Sequence, residues 1–392
     1  MPRDVPADVR DMEIHQQIWR QNQGWSSPEG KPPLGTATIV FVFGDRVALT
    51  QRERLSELSE MCPSAAIVGC SSAGEICGSA VSEGEIVATM VSFEHSSIQV
   101  ASVDILDFPT IREAGRVLAT RLPRSGLRHV FILSEGVGIN GSELIRGISA
   151  ELGSTVSVTG GLAGDGNSFQ ETVVIDRGVV RQHSVVAVGF YGDSLRVSQA
   201  SEGGWDPFGP DRLVTKAEGN ILYALDENNA LDLYKTYLGP YAADLPASAL
   251  LFPLSISVPG TSQCLVRTIL GVDETNGTMT FAGDLPQGCY AKFMRANLDR
   301  LVDGAIEAAQ VSKRGLQGST PELALLVSCV GRKLVLNQRV EDEVEGVRDV
   351  FGSDTALTGF YSYGEIAALA DGGPPELHNQ TMTITTIRED PQ

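Results

Sequence analysis

No apolar run in this chain approaches the ~18 residues that a helical membrane span requires, and the opening MPRDVPADVRDMEI is too polar for a secretory leader. A membrane helix is therefore not expected, and the cytoplasm is the expected compartment. Basic residues are scarce beside acidic ones, 30 Lys and Arg against 49 Asp and Glu, for a net charge of −19. That balance argues against broad binding to nucleic acid or to an anionic membrane, both of which need clustered positive charge. Expected partners are neutral, basic or small. The six cysteines (Cys62, Cys70, Cys77, Cys264, Cys289, Cys329) include no C-x-x-C, and the five histidines are scattered, so neither a zinc site nor a disulfide framework is written here.

What the chain does have is apolar residues in quantity, 42% of 392, enough for two or three compact units. Residues 1–35 form an extension, in which MEIHQQIWRQ is expected as a short helix and SSPEGKPPLG as a linker. From Thr36 a grammar begins: the strand TATIVFVF, the helix TQRERLSELSEM, the strand AIVGC, then the turn GCSSAGEI at 69–76. It returns as HVFILSE, SELIRGISAEL, TVSVTG and GLAGDG, and again as LALLVSCV, LNQRVEDEVEGVRDVF, TALTG and GFYSYGEI at 359–366. FQETVVI at 169–175 also aligns with HNQTMTI at 378–384, which sets His378 opposite Phe169. The expected fold is α/β, two related lobes from an internal duplication, with mixed sheets flanked by helices. The expected divisions are 1–35, a sensory lobe over 36–202, a connection over 203–245, and a second lobe over 246–392.

A strand that stops at Gly and returns through Gly-Glu brings backbone close to whatever lies beyond its end, where ligands of α/β sheets commonly sit. Two such turns can wall one cleft, which makes Ser71, Ser72, Gly74, Glu75, Asp165, Phe360, Gly364, Glu365, Asn379 and Gln380 candidate ligand contacts. The plainer reading is that Glu75 and Glu365 shape tight turns by bonding backbone amides. Other patterns carry enzymatic readings. GVGING at 136–141 is a formal dinucleotide fingerprint, but the following strand ends in Gly160 and Gly161 without a ribose-binding acid. GCSSA around Ser71 resembles a nucleophile elbow, with His183 or His378 as a base. GRK at 331–333 offers an anion site, against the plain reading of a solvated helix end.

The turns, together with VVAVGFYGD, GGWDPFG, VTKAEGNILYALDENNALDLYKTYLG, FAGDLPQG and ELHNQTMTITTIRE, resemble the FIST family of bacterial sensory proteins over roughly residues 36–388. The resemblance implies a non-catalytic sensor of a small ligand such as an amino acid or related metabolite. It also implies regulation of a separate signalling partner, a histidine kinase or a cyclic-di-GMP enzyme, because no output domain follows. Some stand-alone relatives sense nitric oxide through haem. For haem b, His378 is the candidate axial metal ligand, with Tyr361 and Tyr363 as further cofactor contacts. The competing readings are a metabolite sensor without haem and a hydrolase or nucleotide-binding enzyme.

Overall fold

The computed structural model describes residues 12–257, 264–369 and 372–391. The expected α/β class with mixed sheets and flanking helices is what the chain forms, and the repeated grammar builds three sheets on one plan. Each unit supplies an outer strand, two parallel inner strands joined through helix, a hairpin, and a return strand. In unit one the outer and inner strands are Met12–Arg20, Ile39–Gly44 and Ala66–Ser71, and the return strand is Ile86–Phe93. Unit two uses Ser97–Asp104, Leu127–Ser134, Ser157–Leu162 and Ser184–Tyr191. Unit three uses Leu195–Glu202, Leu323–Cys329, Ala356–Ser362 and Met382–Glu389. In all three the inner strands pair in parallel, and the return strand lies antiparallel between the first inner strand and the outer one.

The hairpins cross between sheets. Glu75–Cys77 of unit one pairs with Ala356–Ser362 of unit three, Val174–Asp176 of unit two with Ala66–Ser71 of unit one, and Gly364–Ala368 of unit three with Ser157–Leu162 of unit two. Each sheet is thus completed by another unit in a closed cycle. The inner faces meet in a shared core where Phe41 packs edge-on to Phe131 at 6.0 Å and Phe43 stacks on Phe360 at 4.7 Å. Burial on both faces explains the unbroken apolar runs such as IVFVF and LALLV. Helices cover the outside, several opened by the side-chain caps Thr110, Asn140 and Asn297.

Two local expectations fail. MEIHQQIWR is a strand, Met12–Arg20, paired with Ile86–Phe93 over most of its length; an available sheet edge outweighs its weak helical pattern. The alignment of 169–175 with 378–384 is also not realised, because Val174–Asp176 is a hairpin arm whereas Met382–Glu389 is a return strand. The counterpart of that return strand in unit two is Ser184–Tyr191, so Phe169 and His378 are not equivalent. A few shared Thr and Ile residues at alternating spacing do not specify register.

The stretch 203–245, read as a connection, holds the long strand Asp206–Glu218, the strand Ile221–Leu225 and the helix Ala230–Leu238. Both strands belong to a fourth sheet, with Leu254–Ser257, Cys264–Arg267, Ile269–Asp273, Thr278–Phe281 and Tyr290–Arg295. This sheet is inserted in unit three between its outer strand and the helix Leu298–Gly315, and it has its own core around Tyr234 and Phe293.

Candidate functional site

Gly69, Gly160 and Gly359 occupy equivalent places in the second inner strands, and a Cβ on any of them would lie 1.8, 1.9 or 1.8 Å from the carbonyl oxygen of Val42, Ile132 or Leu326. No side chain fits that approach. Past these glycines the chains leave their sheets and meet in a ring: Ala73 N donates to Tyr361 O at 2.8 Å, Gly164 N to Ser71 O at 2.9 Å, and Tyr363 N to Leu162 O at 3.1 Å. The repeated octets are thus two of three crossing points where hairpins pass to the neighbouring sheet.

Within the ring, Ser72 Oγ donates to Glu75 Oε1 and Ser362 Oγ to Glu365 Oε1, each at 2.6 Å. Glu365 Oε2 also accepts from Thr381 N at 3.2 Å and Thr381 Oγ1 at 3.0 Å. Burial pushes both carboxyls up to about 8, against the lowering effect of these hydrogen bonds. Unit two carries Ala163 and Gly166 at the matching positions, and Asp165 instead receives the amides of Phe169 at 2.8 Å, Gln170 at 3.0 Å and Glu171 at 2.9 Å. Ser71 Oγ accepts from Val173 N at 3.0 Å, and Gly74 is held at φ +144°.

The ring brings Ser71, Ser72, Gly74, Glu75, Gly364 and Glu365 together, all buried. Asn379 and Gln380 follow nearby through Thr381; both polar side-chain atoms of Asn379 and Gln380 Oε1 lack partners among the described residues, while Gln380 Nε2 donates to Thr268 Oγ1 at 2.9 Å. Phe360 faces the core. Tyr361 donates to Glu343 Oε1 at 2.7 Å, beside the buried Arg332–Glu343 pair at 2.7 Å. GRK is accordingly no solvated helix end: Arg332 is fully buried, and Lys333 Nζ donates to Ala73 O at 2.6 Å.

His378 is 2% exposed, its Nε2 bonds the Ala367 carbonyl at 3.0 Å, and burial holds its pKa down to about 4. It is almost fully buried and borders neither described cavity, so the surroundings of His378 do not fit an axial haem ligand. Ser71 is not joined to an imidazole, since His183 pairs with Glu135 at 3.1 Å.

Of the residues singled out in the sequence, Tyr363 opens onto a cavity. Its hydroxyl lies against the Asp165 carboxylate and accepts from Asp165 N at 3.1 Å and Phe169 N at 3.2 Å, while Phe169 stacks on its ring at 4.2 Å and 13°. The cavity has a volume of about 980 Å³. One wall is the loop Gly136 to Asn140, Leu162, Asn167, Leu334 and the Phe169–Tyr363 stack; the other comes from Asn220, Pro246, Leu250 and the inserted strands at Ile269, Leu270 and Phe281 to Gly283. The loop is the one that matched a dinucleotide fingerprint. Sequence reasoning missed the apolar lining, which reads as ordinary core. A second cavity of about 1030 Å³, beside Met12, Glu29, Cys77 and Arg348, is more polar.

A model of the FIST N domain matches residues 38–228 and a model of the FIST C domain matches residues 230–368. The chain belongs to the FIST family, whose domains are small-ligand sensors in signal transduction. Uncharacterised proteins from two strains of Mycobacterium tuberculosis are 25% identical over 365 residues, covering 89% of this chain and 91% of theirs. One from Methanocaldococcus jannaschii is 22% identical over 356 residues, covering 82% of this chain and 66% of its own. Among solved structures, a cyanuric acid hydrolase from A. caulinodans aligns over 97% of this chain and 99% of its own, with a TM-score of 0.40 and 7% identity. That likeness is too weak to bear on activity. Among the described residues, no helix is long and apolar enough to cross a membrane.

Proposed function

We propose that this member of the FIST family is a non-catalytic cytoplasmic sensor whose small organic ligand binds in the cavity of about 980 Å³ between the Gly136–Asn140 loop and the inserted sheet. One observation carries the reading: residues from both matched domains wall the same space, Val137, Leu162 and Phe169 on one side and Leu250, Ile269 and Phe281 on the other. Its volume falls in the range of small-molecule sites, ~300 to 1,000 Å³.

A ligand there touches the three-unit body and the inserted sheet at once. Its affinity therefore depends on how the two are seated, and by linkage its binding favours one seating over others. A separate histidine kinase or cyclic-di-GMP enzyme would read that change on an acidic surface. Haem-based sensing of nitric oxide is not part of this reading because His378 is buried away from both described cavities. Catalysis lacks support because Ser71 is buried and bonded to Val173.

The test is a thermal-shift screen of metabolites against the parent, Val137→Trp and Leu250→Trp. A compound that raises the parent's melting temperature and leaves both folded variants unmoved supports the site. Equal shifts in all three proteins would remove it.

A further inference from the structure

We infer that the ligand of this cavity is an uncharged, largely apolar molecule with a flat face, and not an amino acid or other zwitterion; the inference rests on the cavity being the ligand site. Among the described residues lining it there is no Asp, Glu, Lys, Arg or His. A carboxylate or ammonium taken from water into such a space is costly unless a partner of opposite charge is waiting.

The charged groups behind the wall already have protein partners, a guanidinium for Asp284 and backbone carbonyls for Arg267. Asp284 takes Arg146 Nη1 at 2.9 Å and Asn140 Nδ2 at 3.1 Å. The Arg267 guanidinium, buried and lowered to about 10 by desolvation, donates to Leu377 O at 2.8 Å and Asp284 O at 3.2 Å. The amide groups of the lining are also largely committed: Asn140 Oδ1 caps its helix by accepting from Glu143 N at 3.1 Å, and Asn220 Nδ2 donates to Phe281 O at 2.7 Å. Among the described residues lining the cavity, that leaves the Asn167 amide but no charged side chain to meet a charged head group.

The remaining features favour apolar matter. Tyr363 is pinned by its hydroxyl, so the Phe169–Tyr363 stack presents a fixed aromatic wall to a planar ligand. Leu270 and Phe169 belong to opposite walls and are 49% and 39% exposed, so apolar surface is left in water on both sides of the cavity. An apolar occupant would cover part of both.

The experiment compares two fluorescent probes that share their rings and differ by a charge: N-phenyl-1-naphthylamine, which is neutral, and 8-anilinonaphthalene-1-sulfonate. Each is titrated into the full chain and into Val137→Trp and Leu270→Arg, with folding checked by circular dichroism; indole and L-tryptophan then serve as competitors. The expected result is saturable binding of the neutral probe at least tenfold tighter than the sulfonate, displacement by indole but not by L-tryptophan, and at least tenfold weakening in either variant. Leu270→Arg, which adds a cation at an exposed position, should also tighten the sulfonate. Sulfonate binding as tight as the neutral probe, or displacement by L-tryptophan as effective as by indole, with both still lost in Val137→Trp, would overturn the neutral-ligand inference and leave the site standing. Neutral-probe binding unchanged in both folded variants would overturn the site itself.

Discussion

Replacing Glu365 by Gln should make the protein less sensitive to alkali, by an amount that the burial of this side chain sets. Glu365 is 0% exposed, and desolvation raises its pKa from 4.5 to about 8 even though Ser362, Thr381 and Arg332 favour the charged form. The folded state therefore holds a proton that the unfolded chain releases above about 4.5. Stability from this group is fully present below that pH, falls as pH rises, and is lost once pH passes about 8. At ~1.4 kcal/mol for each pH unit between the two values, the loss is at most roughly 5 kcal/mol. A Gln is never charged; its amide oxygen can accept from Thr381 while its NH2 donates to Ser362. Guanidinium unfolding of parent and Glu365→Gln near pH 5 should agree within about 1 kcal/mol, while near pH 8.5 the variant should be more stable by roughly 3 to 5 kcal/mol. Comparing the two proteins at each pH cancels the acid-side contributions of His129 and His378, whose pKa values burial lowers to about 3 and about 4. A difference between variant and parent that is the same at both pH values would refute the reasoning.

Two further outcomes are expected. Gly359→Ala places a methyl 1.8 Å from the Leu326 carbonyl oxygen, so an inner strand must move, and a loss of about 3 kcal/mol or more is expected by thermal or chemical unfolding. Gly138→Ala meets nothing within 4 Å and carries only the strain of φ +78°, about 1 to 2 kcal/mol; equal losses in the two variants would show that the close approach is not what demands glycine. Haem added to the purified chain should give no Soret band that depends on His378, which is buried and lines neither described cavity; a band present in the parent and abolished in His378→Ala would restore the haem reading.

Much of the fold is readable along the chain because its causes are local. Runs such as IVFVF and LALLV, short and bounded by turn residues, read as strands buried on both faces, and the helices SELIRGISAEL and VEDEVEGVRDVF carry their apolar stripes openly. The phrase G-x-x-S-x-G-E-I marks crossing points, because its first glycine answers a backbone contact and its Ser-Glu pair closes on itself within four residues. The strand over Met12–Arg20 is not legible in the same way, since its conformation comes from the edge of Ile86–Phe93 and not from its own pattern.

The α/β class, the repeated units and the chemistry of the buried Ser-Glu turns are all encoded locally, in periodicity and in contacts between residues a few positions apart. The destination of each hairpin is not, because a strand's apolar alternation suits any sheet edge and the cyclic exchange is selected by the packing of three sheets around Phe41, Phe131 and Phe360. The cavity, too, exists only through long-range packing. Val137 and Leu270 lie far apart in the chain and look like any core residue in it; they become opposite walls of one space because the inserted sheet folds back over the crossing loops, and no local pattern encodes that approach.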